Sequence, residues 1–123
     1  MQDQCGCVIE RKYASDFLTR RIFNINKIPK GFSKIGETVV DGRKIELFYN
    51  KNDNFPLRYK STECPISIIT LEVLCEEFYN SRELTTESAL SALKKVKGLT
   101  INNISKNIAE EVVKIIEKSG IYS

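Results

Sequence analysis

Apolar residues along this chain change their spacing once, near Cys64-Pro65. Before that point they fall into short runs suited to strands, and after it they recur every three to four positions, as on the buried stripe of a helix. Residues 11 to 24, "RKYASDFLTRRIFN", set Tyr13, Phe17, Leu18 and Phe23 close to a 3.6-residue period and predict a short helix with Arg20 and Arg21 late in it. "INKIPKGFSKIG" holds Pro29, Gly31 and Gly36 and reads as a lysine-rich loop or irregular strand. In "ETVVDGRKIELFYN", Asp41-Gly42 separates two strand-like runs, and Gly tolerates the positive φ of a tight reversal, so a hairpin is expected. After a turn at Asn52, Asp53 and Asn54, "FPLRYKST" alternates Leu57 and Tyr59 against Arg58 and Lys60, as a third strand of an antiparallel sheet does.

The second half predicts three helices. Residues 66 to 81 repeat Ile68, Leu71, Leu74 or Cys75, and Phe78 at helical spacing. In "RELTTESAL", Thr85 is the candidate N-cap, Leu84 its apolar staple partner and Glu87 the first-turn acid, with the helix running to about Lys97 and stopping at Gly98. The last helix, from about Asn103 to Ser119, buries Ile104, Ile108, Val112, Ile115 and Ile116. Gly120 is expected to close it and fold Ile121 back on Ile116. The expected fold is α+β: a short N-terminal helix and a three-stranded antiparallel sheet, then a three-helix half. Residues 1 to 123 form one domain, with a basic α/β half (1–63) and a helical half (64–123).

Composition narrows the class. At 123 residues, 41% hydrophobic and 28% charged, the chain has the make-up of one globular domain, which excludes disordered and fibrous classes. No apolar run approaches the roughly 20 residues of a membrane span, and "MQDQCGCVIERK" lacks the basic-then-apolar order of a signal peptide. A cytoplasmic protein without a membrane partner is expected. Abundant Ile and Lys with few Ala is the usage of an AT-rich genome, which suits an archaeon, a low-GC bacterium or one of their viruses.

Charge is uneven. Residues 1 to 60 carry 12 Lys/Arg against 7 Asp/Glu, a net +5, whereas residues 61 to 123 carry 7 against 9, a net −2. Arg11, Lys12, Arg20, Arg21, Lys27, Lys30, Lys34, Arg43 and Lys44 interleave with Tyr13, Phe32, Tyr49 and Tyr59. Cations that neutralise phosphates beside aromatics that stack bases are the two ingredients of single-strand or RNA binding. The same aromatics are candidates for the core, because eight of the eleven lie in residues 1 to 60 and a small sheet needs them there.

Catalytic and metal chemistry have little to rest on. The chain has no His, so a zinc site would need all four thiolates, Cys5, Cys7, Cys64 and Cys75, and their spacing is not the paired C-x-x-C of a zinc ribbon. "CGC" and "ECP" resemble pieces of iron–sulfur sites; a disulfide from Cys5 or Cys7 to Cys64 is the other option, and Cys75 falls on an apolar helix face where a thiol acts as a small hydrophobe. Acid–base work would fall to carboxylates, Lys, Tyr or Cys, and no Gly-rich phosphate loop follows a strand. No catalytic residue, metal, cofactor or small-molecule substrate is assigned.

The order of helix, "LTTESAL" helix and longer helix ending "KIIEKSGIYS" resembles the winged helix-turn-helix superfamily over residues 66 to 123. The resemblance implies a winged-helix-like helical half and DNA binding. "LKKVKGLTINNISKNIAEEVVKII" also resembles a stretched helix-hairpin-helix, which implies phosphate binding at the turn around Gly98 between Lys94, Lys95 and Lys97. The last helix itself carries Lys106, Lys114 and Lys118 against Glu110, Glu111 and Glu117, a balanced face. The expected function is therefore DNA or RNA binding dominated by the phosphate backbone, through Arg20, Arg21, Lys27, Lys30, Lys34, Arg43, Lys44, Lys94, Lys95 and Lys97. A homodimer is expected to use the helical half. The rival is a non-enzymatic interaction subunit or viral accessory protein that dimerises and touches no nucleic acid.

Overall fold

Two consecutive positive φ values, 53° at Asp41 and 81° at Gly42, reverse the chain between β1 (Ser33–Val40) and β2 (Arg43–Tyr49). This is the two-residue turn whose twist matches that of the strands it joins. β3 (Leu57–Ser61) pairs antiparallel with β2, so the sheet runs β1-β2-β3. The computed structural model describes residues 13–99 and 101–119 and shows the α+β layout: α1 (Ala14–Thr19), the sheet, then α2 (Pro65–Ser81), α3 (Thr86–Lys94) and α4 (Asn103–Ser119). No helix among the described residues is long and apolar enough to cross a membrane.

The period of two along each strand divides the sheet into faces. Val40, Ile45, Leu47, Leu57 and Tyr59 are buried in the main core beneath the helices. Lys44, Glu46 and Lys60 point the other way, and Phe48 among them joins Ile25 and Phe32 in a small second cluster. A bulge adjusts β1: Lys34 lies opposite Phe48 and Gly36 opposite Leu47, so Ile35 is the extra residue. Ile35 packs on the core, and a Cβ at Gly36 would come within 2.6 Å of Ile115 Cγ2 on α4. Glycine is what lets α4 lie this close to β1.

α2 is the centre of the helical half and packs against α1, α3, α4 and β3. Cys64 is its N-cap and Pro65 its first residue, where the missing N–H costs nothing. Every residue from Ser67 to Cys75 is buried, so this helix is covered on all sides instead of along one stripe. α3 starts as expected at Thr85 with Glu87 in its first turn, and Ser88 completes the cap: Ser88 N–H donates to Thr85 Oγ1 at 3.1 Å and Thr85 N–H to Ser88 Oγ at 3.0 Å.

Two boundaries differ from expectation. The first helix is six residues, because Tyr13 is its N-cap with Asp16 Oδ2 accepting the Tyr13 N–H, and Phe23 is buried in the segment beyond it. α3 ends at Lys94 and not near Lys97, because the Lys97 carbonyl accepts the Ala14 N–H at 2.7 Å and Lys97 bridges to Tyr13. Gly98 does take a positive φ, 87°, after this departure. The expected cap at Gly120 and Ile121 lies outside the described residues.

One buried carboxylate ties these pieces together. Glu72, wholly buried on α2, accepts the Ile22 N–H on Oε1 at 2.9 Å, the Phe23 N–H on Oε2 at 3.1 Å and the Tyr59 hydroxyl on Oε2 at 2.9 Å. Immediately beyond, Phe23 to Ile25 run beside β3: Tyr59 N–H donates to Phe23 O and Ile25 N–H to Tyr59 O. Burial above all, and then the Glu72 charge, push the Tyr59 phenol well above its ordinary 10.0. Folding therefore favours the neutral phenol, and its contribution to stability is complete below about pH 10 and is lost as the pH rises further. Tyr59→Phe is expected to lower stability by about 1–2 kcal/mol and Glu72→Leu, which strands three donors, by about 3–5 kcal/mol. Urea denaturation at neutral pH measures both, and equal small losses would contradict the network.

Candidate nucleic-acid interface

The face of the sheet turned away from the helices is where the strand cations gather. The bulge at Ile35 puts Lys34 and Glu37 on that same face although they are three residues apart. Glu37 stands directly opposite Glu46, a like-charge pair that destabilises a sheet. Lys34 resolves it by pairing with both carboxylates, at 3.0 Å from Glu46 Oε2 and in contact with Glu37. The hydrogen bond to Lys34, with its charge and that of Lys44, holds the Glu37 carboxyl below its usual value. Lys34 is thereby occupied within the sheet.

Lys44 and Lys60 are not. Lys60 lies opposite Glu46, Lys44 opposite Thr62, and neither makes an ion pair among the described residues. Thr62 is locked to β2 by donating its N–H to Lys44 O at 3.0 Å and accepting the Lys44 N–H on Oγ1 at 3.1 Å. Lys44, Glu46, Lys60, Ser61 and Thr62 enclose a shallow open depression of about 270 Å³. Three ammonium groups, Lys34, Lys44 and Lys60, share this face with two carboxylates, Glu37 and Glu46, so it keeps one net positive charge, and the Ser61 and Thr62 hydroxyls line the depression beside it. Lys27 and Lys30 are exposed on the loop whose Ile25 and Phe32 cover Phe48 at the far end of this face.

The other expected cations are spread over different settings. Arg21 is committed to Glu63 through two bonds, NH1 to Oε1 at 3.1 Å and NH2 to Oε2 at 2.8 Å, which raise the guanidinium and lower the carboxyl. Arg43 places Nε 3.0 Å from Cys64 Sγ and NH1 3.3 Å from Asp41 Oδ2. Arg20 is the exposed C-cap of α1. Lys94 and Lys95 close α3, and Lys95 borders a depression of about 230 Å³ shared with Glu76 and Glu77. Lys97 Nζ sits 5.6 Å over the Tyr13 ring, a cation–π contact. Arg11 and Lys12 lie outside the described residues.

The aromatics expected to stack bases are mostly spent in the core. Tyr59 is 0% exposed and Tyr49 packs edge-on to Phe78 at 6.2 Å, because inward strand positions need large apolar volume, while Phe32, 9% exposed, covers Phe48 in the outer cluster. Tyr13, 52% exposed, is the remaining one. Lys60 was absent from the sequence-based site, although its alternation with Tyr59 marked it as outward-facing; the register with β2 sets it opposite Glu46 and diagonal to Lys44. Cys64 carries a free thiol, Cys75 is buried in the core, and Cys5 and Cys7 lie outside the described residues.

No family model matches this chain, and neither a curated protein nor a solved structure matches it. In Lys34→Met, the Glu37 carboxyl is expected to titrate at a higher pH, toward or above its usual 4.5, because Glu46 then faces it unneutralised. Carboxyl-carbon NMR through a pH titration reads this directly, and an unchanged Glu37 midpoint would refute the bridging role of Lys34.

Proposed function

We propose that this chain binds DNA or RNA through the phosphate backbone, with the open half of the outer sheet face as its contact surface. What supports the proposal is the pair Lys44 and Lys60, set diagonally on neighbouring strands around Glu46, neither of them in an ion pair among the described residues. Two ammonium groups at this diagonal spacing can meet successive phosphates, and the Thr62 hydroxyl beside them can donate to a phosphate oxygen. Lys27 and Lys30 extend the positive field along the covering loop. The loss of stacking aromatics to the core favours backbone contact over base recognition.

The resemblance to winged helix-turn-helix proteins would instead put α4 forward as the reading element. Its exposed positions include Lys106, Glu110, Lys114, Glu117 and Lys118, so acids break up the field a phosphate would meet. Lys94, Lys95 and Lys97 remain a second contact region within the proposal, with Glu76 and Glu77 beside Lys95 weakening it. A competing reading, a dimeric interaction subunit without nucleic acid, is favoured by Val39, 64% exposed on β1 at the border of the described sheet.

Fluorescence anisotropy with a labelled duplex and a labelled single-stranded RNA tests the proposal. Binding is expected to weaken steeply between about 50 and 200 mM salt, and Lys44→Ala/Lys60→Ala to flatten the log–log salt slope by about 2 on the duplex, or somewhat less on a single strand. Arg21→Ala, which breaks an internal ion pair, is expected to leave the slope nearly unchanged. No binding of either ligand at low salt would overturn the proposal and leave the interaction-subunit reading.

A further inference from the structure

Cys64 stands at the N-cap of α2, where the N–H groups of a 17-residue helix lack internal partners and its dipole is positive. From β2, Arg43 places Nε 3.0 Å from the sulfur, and its NH1 is anchored on the Asp41 carbonyl at 2.9 Å. The guanidinium is thus fixed against the sulfur from one side and the helix terminus from the other. Ser67, one turn into α2, is wholly buried and its hydroxyl has no hydrogen-bond partner. That hydroxyl lies close enough to the Cys64 sulfur to favour its charged form, without making a hydrogen bond to it.

A neutral thiol is too weak an acceptor to satisfy these donors, whereas a thiolate or an oxygen attached to the sulfur is a strong one. Partial burial pushes the Cys64 thiol up, but the Arg43 guanidinium, the Ser67 and Ile66 N–H groups and the Ser67 hydroxyl outweigh it and hold the thiol below its usual value. Cys75 is the contrasting case: 1% exposed and enclosed by the apolar core. Cys64 is free and half-buried, so a small reagent can reach it.

We propose that Cys64 is an oxidant-sensitive modification site, whose sulfur reacts with hydrogen peroxide to form a sulfenic acid held between Arg43 and Ser67. The thiolate attacks one peroxide oxygen; the S–O bond forms as the O–O bond breaks. The sulfur gives up two electrons, and the hydroxide that leaves takes a proton from solvent to become water. The added oxygen supplies the acceptor that the Ser67 hydroxyl lacks. Oxidation also removes the negative sulfur facing Arg43, which is left with Asp41 as its anionic partner. The site is separate from the proposed phosphate surface, because Arg43 and Cys64 lie on the helix side of the sheet and Lys44 and Lys60 on the other.

The test treats the whole chain with hydrogen peroxide in the presence of dimedone, which traps sulfenic acids, and maps adducts on each cysteine-containing peptide by mass spectrometry. Labelling of Cys64 and none of Cys75 is expected. Arg43→Gln is expected to slow Cys64 labelling near neutral pH by about 3- to 10-fold, because without the guanidinium less of the sulfur is thiolate. Arg43→Lys, which keeps the charge without the fixed fork, is expected to fall between them and guards against a folding defect in the first variant. Absence of an adduct on Cys64, equal labelling of Cys75, or rates indifferent to both Arg43 variants would overturn the proposal.

Discussion

A carboxylate in an apolar interior is tolerated only when donors surround it, and Glu72 on α2 takes its donors from two other stretches of chain. Because Ile22 and Phe23 come from the segment after α1, Tyr59 from β3 and the carboxylate from α2, satisfying this group sets the position of all three at once. The segment so placed continues along the border of β3 and then crosses to the outer face, where Ile25 and Phe32 cover Phe48. The sheet is consequently enclosed on its helix side and half covered on the other. What stays open is the end bearing Lys44 and Lys60.

Electrostatics on that open end follows from pairing more than from the count of cations. The first half carries a net +5, yet Arg21, Lys34, Arg43 and Arg58 are each engaged with a neighbouring acid. Arg58 shows the pattern fully: it bonds Asp53 at 2.8 Å and lies over the rings of Phe32 and Phe55, so its charge serves the turn and the small outer cluster. Lys34 matters differently, since it bridges Glu37 and Glu46 while Lys44 and Lys60 stay outside any ion pair among the described residues. The positive potential at Lys44 and Lys60 is thus a product of sheet register, and the Arg43–Cys64 contact shows the same first half using a cation for thiol chemistry on the opposite face.

Local rules made much of the fold legible in advance. Asp41-Gly42 announced the hairpin because its two positive φ values are a backbone requirement, and Thr85 announced α3 because an N-cap is a local hydrogen-bonding need. Glu72 gave no such signal: within "LEVLCEEF" it looks like the polar side of an amphipathic helix, and only the donors from residues 22, 23 and 59 make it interior. The early end of α3 was equally hidden, since it depends on a bridge between Lys97 and Tyr13, 84 positions apart. At the candidate site, Lys44 was legible as a cation on a strand, but its partner Lys60 and the placing of both around Glu46 required the bulge and the register. Arg43 and Cys64 are 21 residues apart and meet only through the packing of β2 against the start of α2.

The surface assignment is tested most directly by NMR chemical-shift mapping on the full chain during titration with an unlabelled duplex at low salt. Perturbations are expected to centre on Lys44, Lys60, Ser61 and Thr62 and to extend to Lys27 and Lys30, with α4 unaffected. Perturbations centred on α4, or on none of these residues at saturating duplex, would contradict it.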